Sequence, residues 1–334
     1  MNTAAIQLAH GGGGEEMNRL IHDLFYESFH NDLLLQAEDA AVLHPDGPIA
    51  FTTDSFTVSP LFFGGGDIGK LAVAGTVNDL AMMCAKPRWL SAGFMIEEGF
   101  AFRDLERIVK SMAEELAKSG AKIVCGDTKV VPRGSVDKIF INTSGIGEVQ
   151  KEGVGAHRLT EGDLILVSRD IGRHGAAIMM AREGIDLASE LTSDCETLWP
   201  PVEAMIEAGV RIKALRDATR GGLAAVLNEW AAASGVCIEV EEEQLPVCEE
   251  VRGICEMLGF EAYDLANEGT FIAAVEPDDA TLALECMSAY PFCADAAMIA
   301  EVTMKRPGKV VLQSPWGSSR YLELPKGELL PRIC

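Results

Sequence analysis

"GPIAFTTDSF", residues 47–56, followed by "DIGKLAVAGTVNDLAMMCA", residues 67–85, decides the fold class. The first stretch reads as a strand that ends in polar residues. The second is apolar on nearly every face and reads as a largely buried helix. "PRWLSAGFMIEE" (87–98) then reads as a second strand. In "AFRDLERIVKSMAEELAKSG" (101–120), Phe102, Leu105, Ile108, Val109, Met112 and Leu116 mark an amphipathic helix closed by Gly120. "AKIVCGDTKVV" (121–131) and "VDKIFINTSGIGEV" (136–149) read as two more strands, expected to lie side by side as a hairpin-type pair. Strands joined by helical crossovers imply an α/β (α+β) layer.

A second round starts beyond the polar stretch "QKEGVGAHRLTEG" (150–162), the candidate domain boundary. "DLILVSR" (163–169) reads as a strand, and "HGAAIMMARE" (174–183) and "CETLWPPVEAMIEAG" (195–209) as helices. "IKALRDATRGGLAAVLNEWAAASG" (212–235) carries a strand and a helix, "VCIEV" (236–240) a strand, 249–258 a helix, and "NEGTFIAAVEP" (267–277) a strand. No element is assigned between Pro277 and Gln313. From Ser314 onward the segment reads as a tail with one short strand at 321–324. The expected division is an N-terminal arm and helix (1–35), a first domain (36–150), a second domain (151–313) and a mobile tail (314–334). The two halves share a βα rhythm without a clear repeat.

The 334 residues are 48% hydrophobic and 24% charged, which fits a globular chain with ample core material. Acidic residues outnumber Lys and Arg by 51 to 28, a net charge of −23. That argues against a nucleic-acid surface, which needs basic residues against phosphates. It leaves room for a small phosphate ligand held through Mg²⁺ by carboxylates. The nine cysteines form no C-x-x-C pair, so neither a zinc cage nor a dithiol motif is written here. An odd count without a secretion signal fits a reducing cytoplasm. No apolar run reaches the ~20 residues of a membrane span.

Asp39, Asp54, Asp79 and Asp127 recur through the first half. Asp54 and Asp127 end strand-like runs, which would bring their carboxylates out at a sheet edge. Asp79 sits inside an apolar helix, where an unpaired carboxylate is costly and a shared Mg²⁺ would satisfy it. The plain alternative is that Asp39 caps a helix and the others make turns. In "RDATRGGL" (216–223), Asp217 ends a strand and Thr219, Arg220 and Gly221 lead into a helix, a turn that attracts anions through backbone N–H groups and the helix dipole. An ordinary strand–helix turn would look similar. No Walker A loop occurs, and the lysine of "GGGDIGK" (64–70) is not followed by Ser or Thr. The glycine run 11–14, with Gly12, Gly13 and Gly14, is either a loose arm or a cover for phosphates. Lys129 and Glu268 are the remaining charges with candidate chemistry. His10 and His174 flank glycines, but no Ser/His/Asp spacing accompanies them. Cys334, the last residue, is expected to lie outside any core.

Taken in order, "AHGGGG" (9–14), "TTDSF" (52–56), "GTVNDLAM" (75–82), "GDTKVV" (126–131), "DATRGG" (217–222), "NEG" (267–269) and "PRIC" (331–334) resemble the HypE family of hydrogenase-maturation carbamoyl dehydratases. The likeness spans essentially the whole chain. "DATRGG" and the aspartates are shared with the wider superfamily of aminoimidazole ribonucleotide synthetase and selenophosphate synthetase. The resemblance implies an aminoimidazole ribonucleotide synthetase-like fold of two domains. It further implies a homodimer whose N-terminal domains join into a β-barrel, a C-terminal α/β sandwich, and a flexible tail. It implies ATP and Mg²⁺ in a cleft. Asp39, Asp54, Asp79 and Asp217 would be metal ligands, and Gly12–Gly14, Asn78, Asp127, Thr219, Arg220 and Gly221 nucleotide contacts. It also implies that HypF loads a carbamoyl group onto Cys334, that the group is dehydrated to a thiocyanate, and that cyanide passes to iron on a HypC–HypD complex for the [NiFe]-hydrogenase centre. Lys129 and Glu268 are the expected acid–base pair, facing one cleft from opposite domains. The alternatives are another synthetase of the superfamily and a nucleotide-regulated scaffold. A selenophosphate synthetase would carry a reactive Cys in its N-terminal glycine-rich segment, whereas no cysteine precedes Cys84.

Overall fold

The computed structural model describes residues 5–38, 40–183, 191–325 and 332–334. The alternating segment Ile49–Phe56 forms strand β1 and is followed by two short strands, β2 (Phe62–Phe63) and β3 (Gly66–Asp67). An N-terminal helix α1 (Glu15–Leu20) precedes them. Helix α2 (Ile68–Met82) starts where the Asp67 carboxylate accepts hydrogen bonds from the N–H groups of Gly69 and Lys70, at 2.8 and 3.1 Å. All of α2 is buried except Lys70 and Asp79. Strand β4 (Ala85–Glu97), helix α3 (Phe102–Ser119) and strands β5 (Lys122–Val131) and β6 (Ile139–Val149) complete the first half.

The sheet order is β1-β6-β4-β5. The expected β5–β6 hairpin does not form. Instead α3 carries the chain over to lay β5 parallel to β4, and β6 returns on the other side of β4, antiparallel to it and to β1. Strand β5 is therefore an outer edge, and Asp127 sits in its middle rather than at its end. One sheet face packs on α2 and α3. The other leaves Phe51 67% and Met95 38% exposed, and the register places Ile146 and Trp89 beside Phe51 and Phe140 beside Met95 on that same face.

The second half holds β7 (Leu164–Val167), α4 (Arg173–Glu183), α5 (Trp199–Glu207), β8 (Ile212–Asp217), α6 (Gly222–Ser234), β9 (Cys237–Glu241) and α7 (Glu249–Leu258). It continues with β10 (Phe271–Val275), α8 (Ala280–Ser288), β11 (Ala297–Thr303), β12 (Lys309–Gln313) and β13 (Ser319–Tyr321). Its sheet runs β13-β12-β9-β11-β7-β10-β8. Three elements thus occupy the span without sequence assignments, and the short tail strand falls at 319–321 rather than 321–324. β10 is buried throughout, because its alternate residues feed two cores: Ala273 and Val275 face one, Ile272 and Ala274 the other.

The first of these cores is continuous from α2 and α3 through Leu198, Trp199 and Val202 to Phe271, and it also takes in Ile333. Cys334 packs against it, so the expectation that Cys334 lies outside any core is corrected. An isoleucine one residue before it finds apolar cover, and the main chain of 332–334 is hydrogen-bonded to 57–59. Residues 326–331 of the expected tail lie outside the described residues. No helix among the described residues is long and apolar enough to cross a membrane.

Candidate active site

A cleft of about 770 Å³ opens between the two halves, a size that suits a nucleotide-sized ligand. One side is built by the end of β1 and by α2. Ala50, Thr52, Asp54 and Phe56 point from β1 toward the inner side, and the Thr52 hydroxyl donates to the Asp79 carboxylate at 2.6 Å. Gly75 lets α2 approach the Phe56 ring, since a Cβ there would stand 2.9 Å from it. The other side is the end of β8, with Asp217, and the turn Thr219–Gly221 at the start of α6. Gly221 and Gly222 both have positive φ, and a Cβ on Gly222 would meet the Tyr263 and Leu265 carbonyls at 2.5 and 2.6 Å. Only glycine permits that approach. Glu268, Arg332, Ile333 and Cys334 close the cleft.

Charge is concentrated here. Burial, and then the neighbouring Asp79 carboxylate, raises Asp54 to about 6. Burial, then Asp79, raises Asp217 to about 7. Carboxylates crowded in this way resist ionising together, and a divalent cation would relieve them. Among the described residues no three His, Cys, Asp or Glu side chains converge as a preformed metal cage. Mg²⁺ does not demand one, because it commonly keeps several waters and takes only one or two protein carboxylates. The donor set therefore fits a hydrated Mg²⁺ that also faces phosphates. Arg220 is the cation that acts on Asp54, Glu268 and Cys334, lowering each.

Glu268 is 4% exposed and its Oε1 has no hydrogen-bond partner in the protein. Burial first, then the charge of Asp217, raises it well above the ordinary carboxylate range. Such a group is a strong proton acceptor once ionised. Burial likewise pushes the Cys334 thiol up to about 12, with the Glu268 charge adding to the shift. Docked, Cys334 is a protonated thiol.

The structure thus brings Asp54, Asp79, Asp217, Thr219, Arg220, Gly221, Glu268 and Cys334 to one cleft. It keeps others away. Asn78 does not reach the cleft wall: its amide donates to the Glu196 and Glu268 carbonyls at 3.0 and 3.4 Å and accepts from the Leu198 N–H at 2.8 Å. It is a tether between α2 and the segment bearing Glu268. Asp127 and Lys129 pair with each other at 2.9 Å on the exposed β5 edge, and Asp127 lines a separate cavity of about 200 Å³ beside α1. Lys129 and Glu268 therefore do not face one cleft within a single chain. Gly12, Gly13 and Gly14 are exposed, and the neighbouring Gly11 lies against Val130 of β5, away from the cleft. Asp39 lies outside the described residues. Pattern reading missed Thr57, which lines the cleft, and Ser193 and Asp194, which lie behind it: Ser193 bonds His174, and Asp194 bonds the main chain at Glu268. His174 stood out only by its neighbouring glycine.

Residues 37–149 match the family described as AIR synthase related protein, N-terminal domain, and residues 160–313 its C-terminal domain. Carbamoyl dehydratase HypE of Escherichia coli (strain K12) is 49% identical over 336 residues, covering 98% of this chain and 99% of that protein. A crystal structure of hydrogenase maturation protein HypE in complex with ATP matches with a TM-score of 0.95 at 44% identity, over 98% of this chain and 99% of the other. A crystal structure of a HypE–HypF complex matches with a TM-score of 0.80 at 49% identity, over 92% and 99%.

Proposed function

Since this chain belongs to the HypE family of carbamoyl dehydratases, we propose that it converts an S-carbamoyl group on its own Cys334 to a thiocyanate at the expense of ATP. The observation that carries this is the seating of Cys334 in the same cleft as the carboxylate cluster and Glu268. A carbamoyl oxygen is a poor leaving group. Transfer of the ATP γ-phosphoryl group to that oxygen, with loss of one nitrogen proton, gives an S-bound imidate phosphate and ADP. Breaking its C–O bond while the remaining N–H proton leaves then yields S–C≡N and inorganic phosphate. Glu268 would accept a nitrogen proton, a task its high proton affinity supports. Bound Mg²⁺ would supply positive charge against the phosphates, with Asp54, Asp79 and Asp217 as its protein ligands and Asp39 as a further candidate. Thr219, Arg220 and Gly221 would hold phosphate oxygens at the start of α6.

The open apolar sheet face around Phe51, Trp89 and Met95 supports a homodimer through this sheet. Lys129 would then act in a cleft only if a second copy presents it. HypF as carbamoyl donor, a HypC–HypD complex as cyanide acceptor and a cytoplasmic location complete the proposal. The test is the mass of the peptide ending at Cys334 after incubation with HypF, carbamoyl phosphate and Mg-ATP. A carbamoyl adduct that then loses the mass of one water supports the function. An adduct that never changes, with ATP hydrolysed regardless, refutes it.

A further inference from the structure

Residues 332–334 sit in a seat built largely by groups to which the chemistry above gives no role. The Thr57 N–H and hydroxyl both donate to the main-chain oxygen of Cys334, the last residue, at 3.0 and 3.2 Å, and the Ser59 N–H donates to the Arg332 carbonyl at 3.3 Å. These bonds lay the tail tip along 57–59 as an added strand lies on a sheet edge. The Arg182 guanidinium donates to the carbonyls of Ser59 and Arg332, at 2.6 and 2.5 Å, and so clamps both segments.

Behind this seat runs a chain of hydrogen bonds whose directions follow from a neutral His174 ring. The imidazole Nε2 of His174 lies 2.8 Å from the Ile333 carbonyl oxygen. A carbonyl only accepts, so Nε2 carries the proton; full burial disfavours the charged ring, and in the neutral ring Nδ1 accepts. The Ser193 hydroxyl, 2.8 Å from Nδ1, therefore donates to the ring and is free to accept from the Cys195 N–H at 3.0 Å. The ring is fully buried with the Phe63 ring edge-on at 5.5 Å, so it has no solvent to turn toward. The carbonyl it grips belongs to the peptide bond that leads into Cys334.

The same short segment also holds Glu268. The Asp194 carboxylate accepts from the N–H groups of Glu268 and Gly269 and from the Thr270 hydroxyl, at 3.1, 3.0 and 2.8 Å. The Glu196 N–H donates to the Glu268 carbonyl at 3.3 Å. A Cβ on Gly269 would stand 1.8 Å from the Asp194 carbonyl oxygen, so the two backbones touch directly. We propose that His174 is a positioning residue for the dehydration step: through Ser193 it ties the peptide bond before Cys334 to the segment that carries Glu268, and so sets the carrier sulfur against that carboxyl. This rests on the reading of Cys334 as carrier and Glu268 as proton acceptor.

The test uses the full chain, carbamoylated on Cys334 and then given Mg-ATP in a single turnover, with the tail peptide weighed over time. Hydrogen exchange at the Thr57 and Ser59 amides reports docking independently, because both donate to the tail. Ser193→Ala removes the bond that orients the ring at little change in volume. It should speed exchange at Thr57 about 5- to 10-fold, the value of one hydrogen bond, and slow conversion on the order of 10- to 100-fold through misplacement. Carbamoyl loading and Mg-ATP affinity should stay unchanged. His174→Ala should do the same more strongly, and His174→Gln, which keeps an N–H donor, should recover part of the rate. If His174→Ala does not fold, the other two variants decide. Native conversion in Ser193→Ala overturns the proposal, as does slowed conversion with native exchange at Thr57. An unaltered chain that loads carbamoyl but never converts it overturns the proposed function, and this inference with it.

Discussion

Truncating Ile333 to alanine should release Cys334 from its seat, and the size of the effect can be worked out. Ile333 is 3% exposed and packs into the main core. The change removes three buried methyl or methylene groups, at about 0.8 kcal/mol each, for a total of about 2.4 kcal/mol. That is roughly a 50-fold fall in the ratio of docked to free tail. The docked thiol has its pKa pushed to about 12, against about 8.5 for a free one. At pH 8 a docked Cys334 therefore holds roughly a thousandfold less thiolate than a free one. Alkylation then proceeds from the free tail, and its rate follows the free fraction. Iodoacetamide labelling at pH 8, read by mass on the peptide bearing Cys334, should be up to about 50-fold faster in Ile333→Ala, with a ceiling where the tail is already free. Equal labelling rates in the two proteins would refute the idea that Ile333 anchors the tail.

Asp217 gives a pH signature: raised to about 7 in the folded chain and near 3.9 unfolded, it contributes stability that is present below about pH 4 and lost as pH rises through about 7. Asp217→Asn should therefore gain in Tm relative to the unaltered protein between pH 4 and 8, and a flat difference across that range would show that the burial has been misjudged. Asp79→Asn should weaken Mg-ATP binding more than a surface change such as Asp278→Asn does, and unchanged affinity by calorimetry would place the metal elsewhere. Glu268→Gln should cut single-turnover conversion by about 10²–10³-fold, and Lys129→Ala should do so only where a second copy presents that lysine. If a second copy lends Lys129, mixing the two inactive variants should restore roughly a quarter of the activity, because half the dimers are mixed and each has one intact cleft. No recovery from a mixture shown to exchange subunits would exclude Lys129 from the partner's cleft.

Polar residues that interrupt an apolar pattern were legible without coordinates. Asp79 interrupts an apolar helix while Asp54 and Asp217 end strand-like runs, and all three reach the cleft. Glu268 stood out at the mouth of a strand for the same reason. Strand order was not legible, because nearness in sequence favours a β5–β6 hairpin while the α3 crossover puts β4 between them. Lys129 was expected at the cleft because it follows Asp127, but β5 is the edge strand opposite β1, and it is β1 that borders the cleft. Asn78, a nucleotide contact by the resemblance alone, has as its partners backbone groups more than 100 residues away. His174 was invisible in its role for a similar reason, with partners 19 and 159 positions distant.

The unbroken core from α2 through α5 to Phe271 bears on how the molecule melts. Two family domains meet in this chain, yet α2 is buried at every residue but Lys70 and Asp79, partly by residues of the second half. The halves are thus expected to unfold in a single transition, since neither can loosen without baring the other's apolar flank. A fragment stopping at residue 150 would present that flank to water and self-associate. Calorimetry on the whole chain should accordingly give one endotherm whose van't Hoff and calorimetric enthalpies agree, and the cleft should lose its shape only when everything else does.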